Sequence, residues 1–242
     1  MKNESASEQD RLIRENARLR GDLFTVAKRI SHDLRAPLGG IMSTGEILRE
    51  ILAEKEPSSA ALANSLFSSV DELSRLIKSV GIVTKASARP RAKGKVQMGE
   101  IVSGVLQQLE SRTLKKQATI VEPGSWPDVE GVDSWLEVVW WNFLANALQH
   151  AGESPRIEFG WCEEAGKIRF WISDNGPGVP ADWRNKLFQT FDSLHEPDST
   201  RGLGLSVVQR LMELQGGDCG HEANPQGGAR FFFTLAKPRL DW

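Results

Sequence analysis

From Leu12 the apolar positions keep a heptad register through Leu19, Leu23, Val26 and Ile30, with Asn16 at one of the inward positions. Such a seam predicts a parallel two-stranded coiled coil, in which a polar inward residue costs stability but fixes register and partner number. After Asp33 the stripe moves to Leu34, Leu38, Ile41, Gly45, Leu48 and Leu52. Pro37 removes the amide that would bond the carbonyl of Asp33, so the helix is expected to bend where the coiled coil opens into a wider bundle. Glu56-Pro57-Ser58-Ser59 reads as a turn, and Leu62, Leu66, Val70, Leu73, Leu76, Val80 and Val83 form a second amphipathic stripe. One hairpin of this kind leaves too much apolar surface in water, whereas two of them close a four-helix bundle.

Beyond residue 88 the pattern changes. Lys95 to Met98 suggests a short strand, Glu100 to Lys116 a helix and Ala118 to Val121 another strand. Asp133 is placed to cap a helix through Trp135, Val139, Phe143 and Ala147, whose apolar residues are dense enough for burial on most sides. Ile157 to Trp161 and Lys167 to Ile172 read as paired strands around a Glu164-Ala165-Gly166 turn. Trp183 to Phe191 and Gly204 to Leu214 read as helices, and Arg230 to Leu235 as a last strand. The expected class is α+β: a helical hairpin that dimerises into a four-helix bundle, then helices on one face of a mixed sheet. The expected divisions are a coiled-coil helix at residues 1–23, the hairpin at 24–88, a linker at 89–99 and a second domain at 100–242.

Two small domains suit a chain of 242 residues with 40% hydrophobic content. The net charge of −2 gives no basic face with which to neutralise phosphates, so nucleic acid is not an expected partner. Arg89, Arg91, Lys93 and Lys95 read as a solvated linker. Cys162 and Cys219 are far apart and form no CxxC pair, which argues against a zinc site or disulfide framework and for a reduced, cytoplasmic setting. No stretch approaches the roughly 20 apolar residues of a membrane span, so a membrane sensor would lie outside this chain.

Four motifs carry the candidate chemistry: Ser31-His32-Asp33-Leu34-Arg35-Ala36-Pro37-Leu38, Asn142-Phe143-Leu144-Ala145-Asn146-Ala147, Asp174-Asn175-Gly176-Pro177-Gly178 and Gly202-Leu203-Gly204-Leu205. A histidine that attacks phosphorus needs one neutral nitrogen and an orienting partner at the other. Asp33 can accept the Nδ1 proton of His32 and leave Nε2 as the nucleophile. Gly202 and Gly204 open a helix, whose N-terminal amides attract anions.

In this order the motifs resemble the cytoplasmic core of bacterial sensor histidine kinases, a dimerising phosphoacceptor domain followed by a GHKL-type (Bergerat) ATP-binding α/β sandwich. The resemblance runs from about Phe24 to Leu235 and implies a homodimer that phosphorylates His32 from ATP and passes the phosphoryl group to an aspartate of a response regulator. An upstream sensor domain or protein would supply the stimulus. By the same resemblance Asp174 accepts the adenine exocyclic amine, with Gly176 and Gly178 turning the chain against the ring. Asn146 offers an amide oxygen to Mg²⁺, a hard cation that prefers oxygen ligands. Asn142 lies one turn earlier on the same helix face. The hydrolytic relatives of this pocket carry a water-activating glutamate at that position, so Asn142 argues for transfer to a side chain rather than to water. Gly202, Leu203, Gly204 and Leu205 present amides to the phosphates. Leu187-Phe188-Gln189-Thr190-Phe191 resembles the family's phenylalanine motif, with Phe188 anchoring the loop over ATP.

Several positions depart from the family. Thr200 stands where many relatives have a further glycine, Gln149 replaces a Lys or Arg, and the segment from Phe191 to Gly202 is short. Arg201 is a candidate phosphate contact or a solvent-facing loop residue, and His150 a candidate phosphate contact or helix cap. Ala36 lacks the hydrogen-bonding side chain that relatives use to position water, which predicts weak phosphatase activity. The alternatives are a degenerate kinase acting as a dimeric signalling scaffold, and an ATP-hydrolysing switch.

Overall fold

The computed structural model describes residues 34, 37–45, 47, 70, 73, 74, 77, 81–86, 92–184, 186–188, 204–224 and 227–238, and the chain divides into two compact units, 1–90 and 91–242. In the first unit residues 37–45 and 81–86 are helical. Leu38 is buried there, while Leu34, Ile41, Ile47 and Leu73 are exposed. The heptad seam, the His32–Asp33 pair, Ala36 and the turn at 56–59 lie outside the described residues.

The second unit runs β1 (Gly94–Gln97), α1 (Met98–Gln108), α2 (Glu110–Lys115), β2 (Thr119–Val121), β3 (Asp128–Gly131), α3 (Asp133–His150), β4 (Arg156–Glu164), β5 (Lys167–Asp174), α4 (Ala181–Arg184), α5 (Gly204–Gln215), β6 (Asp218–Ala223) and β7 (Ala229–Ala236). β1 and β3 form a two-stranded sheet. The main sheet has the order β2-β4-β5-β7-β6, with β2 parallel to β4 and the other neighbours antiparallel. It is a mixed sheet, as the sequence suggests. Ala165 (φ 49°) and Gly166 (φ 77°) make the β4–β5 turn with two positive φ angles, the geometry whose twist matches that of paired strands.

Cross-strand register sorts the sheet into two faces. Phe159, Ile172, Phe231 and His221 form one row, and Trp161, Phe170, Phe233 and Cys219 the next. Helix α3 inserts Trp140 and Phe143 into this face, with Trp140 edge-on to Phe233 at 5.1 Å and to Phe170 at 6.2 Å between ring centroids. Both side chains are fully buried, and Trp140 Nε1 donates to Met98 Sδ of α1 at 3.0 Å, so the indole satisfies its one donor inside the core. On the opposite face Trp171 lies across Gly160 and Phe232 across Gly220. The Arg169 guanidinium stacks 3.7 Å from the Phe232 centroid. Glycine at 160 and 220 is what allows two large rings to lie flat on neighbouring strands.

Four local readings are corrected. The helix expected over Glu100 to Lys116 is two helices, because Leu109 leaves helical geometry (φ −104°, ψ 6°) and turns into the core at 2% exposure. Met98 begins α1 rather than ending the first strand. Asp133 is the first residue of α3, not its cap: the N-cap is Val132, whose amide is bound by Gln215 Oε1 at 2.8 Å. The helix expected from Trp183 starts at Ala181 and stops at Arg184, with a turn at 186–188.

Candidate functional site

The site forms where the C-terminal end of α3, the loop after β5 and the N-terminus of α5 meet. Asp174 closes β5 at 6% exposure, paired in register with Ile157. Its Oδ1 accepts the Gly176 amide at 2.9 Å and the Ala229 amide at 3.3 Å. Two backbone donors therefore fix the carboxylate plane, and among the described residues no hydrogen bond reaches Oδ2. A buried carboxylate with one oxygen anchored and the other open is an acceptor held ready for a donor such as an exocyclic amine.

The glycines of this loop have separate reasons. A Cβ on Gly176 would come within 2.8 Å of Ala151 Cα and 2.9 Å of His150 O, so the loop lies directly on the end of α3. Gly178 adopts φ 77°, which an L side chain rarely tolerates, and a Cβ there would stand 3.0 Å from Gly228 O. Gly228 in turn sits against the Asp174 backbone with φ 90°. Asn175 Oδ1 accepts the Arg156 amide at 2.8 Å, tying the loop back to the start of β4.

On α3, Asn142 is 8% exposed and donates from Nδ2 to Val138 O at 2.7 Å. This bond aims its Oδ1 at Gly204, the first residue of α5, so closely that any Cβ there would overlap it. Asn146, one turn on, is half-buried, and among the described residues its amide makes no hydrogen bond. Gln149 and the His150 side chain are exposed, and the part of His150 that meets the loop is its carbonyl. Leu205 is buried at the start of α5. Phe188 is half-buried and edge-on to Phe231 at 6.4 Å, the same ring that Phe143 meets at 5.6 Å. Thus Asn142 of α3 meets Gly204, and the loop carrying Asp174, Gly176 and Gly178 meets the end of the same helix at His150 and Ala151, with Asn146 on the turn between, while His32, Asp33, Arg201, Gly202 and Leu203 lie outside the described residues.

Two polar residues of the second unit carry no sequence signal. Gln215 and its ties to α3 are one. His221 is the other: it sits beside Phe231 at 5.3 Å, and its buried Nε2 has no hydrogen-bond partner among the described residues. Burial first, and the Arg184 charge second, push its pKa below the ordinary 6.5, against weaker opposition from Asp174 and Glu222. Among the described residues no group of three or more His, Cys, Asp or Glu side chains could hold a metal. A divalent cation here would rest on amide and phosphate oxygens and water, a donor set that suits Mg²⁺. Nor is any described helix long and apolar enough to cross a membrane.

Residues 131–239 match the family described as histidine kinase-, DNA gyrase B-, and HSP90-like ATPase. The chain is 27% identical over 226 residues to the methanogenesis regulatory histidine kinase FilI of Methanothrix harundinacea, covering 92% of the chain and 25% of that protein. It is 28% identical over 236 residues to the sensor protein KdpD of Escherichia coli, covering 96% and 26%. With the C4-dicarboxylate transport sensor protein DctB of Rhizobium meliloti the figures are 30% over 214 residues, 85% and 33%. The chain thus spans about a quarter to a third of the length of these relatives. Full-length ShkA in complex with AMPPNP superposes with a TM-score of 0.62 at 24% identity, over 88% of this chain and 46% of that one. The catalytic domain of histidine kinase ThkA gives 0.54 at 22% identity, over 61% and 99%. At these identities the superpositions establish the fold. Residues 131–239 therefore form an ATPase-type domain of the histidine kinase, gyrase B and HSP90 family, and the chain is a relative of the sensor histidine kinases with a GHKL-type ATP-binding domain.

Proposed function

We propose that the chain is an ATP-dependent histidine autokinase of a two-component system. The observation that carries this reading is that one helix, α3, meets Gly204 through Asn142 and the loop after Asp174 through His150 and Ala151. Asp174 Oδ2 accepts the adenine amine, Asn146 supplies an amide oxygen to Mg²⁺, and the amides from Gly202 to Leu205 meet the phosphates. Phe188 anchors the segment that covers them, with Arg201 and His150 as candidate phosphate contacts. ATP supplies a transferable γ-phosphoryl group. Asp33 holds the Nδ1 proton of His32, so that Nε2 forms the bond to phosphorus while the bond to the ADP oxygen breaks. The protein's contribution is positioning and neutralisation of charge.

The phosphoryl group then passes from His32 to an aspartate of a response regulator. The chain acts as a homodimer: Leu34, Ile41, Ile47 and Leu73, 39 to 57% exposed in the single chain, suit burial against a second copy in a four-helix bundle. Stimulus comes from an upstream sensor domain or protein, and the catalytic half works in the cytoplasm. Thr200, Gln149 and the short covering segment favour a second reading, a scaffold that dimerises without phosphorylating itself. Titration of the full chain with Mg²⁺ and a non-hydrolysable ATP analogue tests the pocket: saturable binding lost in Asp174→Asn supports the kinase, and no uptake by folded protein contradicts it.

A further inference from the structure

α3 and α5 touch at both ends. At the site end Asn142 meets Gly204. At the far end the joint is built from Gln215, the last residue of α5, which is 3% exposed. Its Oε1 accepts the Val132 amide at 2.8 Å, filling the place of the missing side-chain cap of α3, and its Nε2 donates to Leu211 O at 3.4 Å. The Gln215 carbonyl in turn accepts from Lys93 Nζ, on the segment that leads into β1. A Cβ on Gly131 would stand 3.1 Å from Gln215 Oε1 and 3.7 Å from Val96, so β1 and β3 close around the same amide. Gly216 (φ 69°) then ends α5, with Gly217 N bonded to Met212 O at 2.9 Å and Gly216 N to Glu213 O at 3.0 Å.

We propose that Lys93 and Gln215 are positioning residues for the phosphate-binding end of α5. The helix has 12 residues, a rigid rod of about 18 Å. Its far end is hydrogen-bonded to α3 through the buried Gln215 side chain and to the segment before β1 through Lys93. A small rotation or slide allowed at that joint is therefore delivered to Gly204, where contact with Asn142 leaves no slack. Lys93 lies two residues inside the boundary at Arg91. Adenine recognition, by contrast, rests on Asp174 and β5, which do not move with α5.

The inference rests on the nucleotide-binding reading, and one calorimetric experiment separates the two. The full chain is titrated with Mg²⁺ plus a non-hydrolysable ATP analogue, and in parallel with adenosine, for wild type, Lys93→Met, Lys93→Arg and Gln215→Leu. Lys93→Met and Gln215→Leu each raise the dissociation constant of the ATP analogue at least about fivefold and leave that of adenosine unchanged, and Lys93→Arg restores the wild-type value. Equal weakening of both ligands, or no weakening of either, overturns the inference while leaving ATP binding intact. Lys93→Met decides the matter if Gln215→Leu does not fold. A wild-type chain that takes up neither ligand overturns both readings.

Discussion

Gly204 and Asn142 are fitted to one another across the two helices that frame the site. The Asn142 amide is committed to Val138 O at 2.7 Å, so its oxygen has one direction in which to point, and the missing side chain of Gly204 provides the room. Gly204→Ala should therefore push α5 away from α3 at its phosphate-binding end. Helix propensity favours alanine by about 1 kcal/mol, so the fold should survive. Affinity for an ATP analogue should fall about tenfold, roughly 1.4 kcal/mol, as measured by calorimetry. Undiminished affinity would mean that the two helices can part at no cost.

Asp174→Asn keeps an oxygen for the Gly176 and Ala229 amides but replaces the open Oδ2 acceptor with an amide donor. The adenine amine would then face another N–H. A charged hydrogen bond contributes about 1.5–3 kcal/mol, so nucleotide binding should weaken by roughly one to two orders of magnitude, with the melting temperature little changed. Binding of inosine nucleotides, which carry a carbonyl in place of the amine, should suffer less.

His221 gives the second unit an acid-side weakness. Its pKa in the folded chain lies below 6.5, so as pH falls from neutrality the unfolded chain takes up the proton first. Stability is complete above the ordinary histidine pKa and is lost as pH falls through 6.5 toward the folded value. Arg184, Asp174 and Glu222 are the charged groups that act on it. Thermal melts of wild type and His221→Leu between pH 8 and pH 5.5 should diverge, the variant losing less on acidification. Parallel curves would remove His221 from the account.

The two cysteines should differ sharply in reactivity. Cys162 is exposed, whereas the Cys219 thiol is pushed up to about 12 by burial and by Asp218 and Glu213. A thiol of that kind has almost no thiolate at neutral pH. Mass spectrometry after brief alkylation of the folded chain should find one modification, at Cys162, and two only after denaturation.

Much of this was legible in the residues. Asp174 could be placed at a strand end because Lys167 to Ile172 is strongly apolar and Gly176 and Gly178 follow at turn spacing. The run from Trp135 to Ala147 announced a buried helix, and Trp140 and Phe143 do fill the core. β3 and β6 carry no strand signal in the sequence because Asp128–Gly131 and Asp218–Ala223 are short, polar and lack clean alternation. They are strands because β1 and β7 offer them partners, a long-range fact that no local window carries. The far joint was hidden for a similar reason. Val132 cannot cap a helix by its own side chain, and its substitute is Gln215, 83 residues away. Nor does the spacing reveal that Gly204 is required by Asn142 as well as by any phosphate.

The most direct measurement of the central claim is incubation of the full chain with Mg²⁺ and γ-labelled ATP, beside His32→Gln and Asp174→Asn. The account predicts acid-labile, base-stable label on the wild-type chain, none on His32→Gln and little on Asp174→Asn. Label that persists in His32→Gln, or a folded wild-type chain that binds nucleotide yet stays unlabelled, would contradict it.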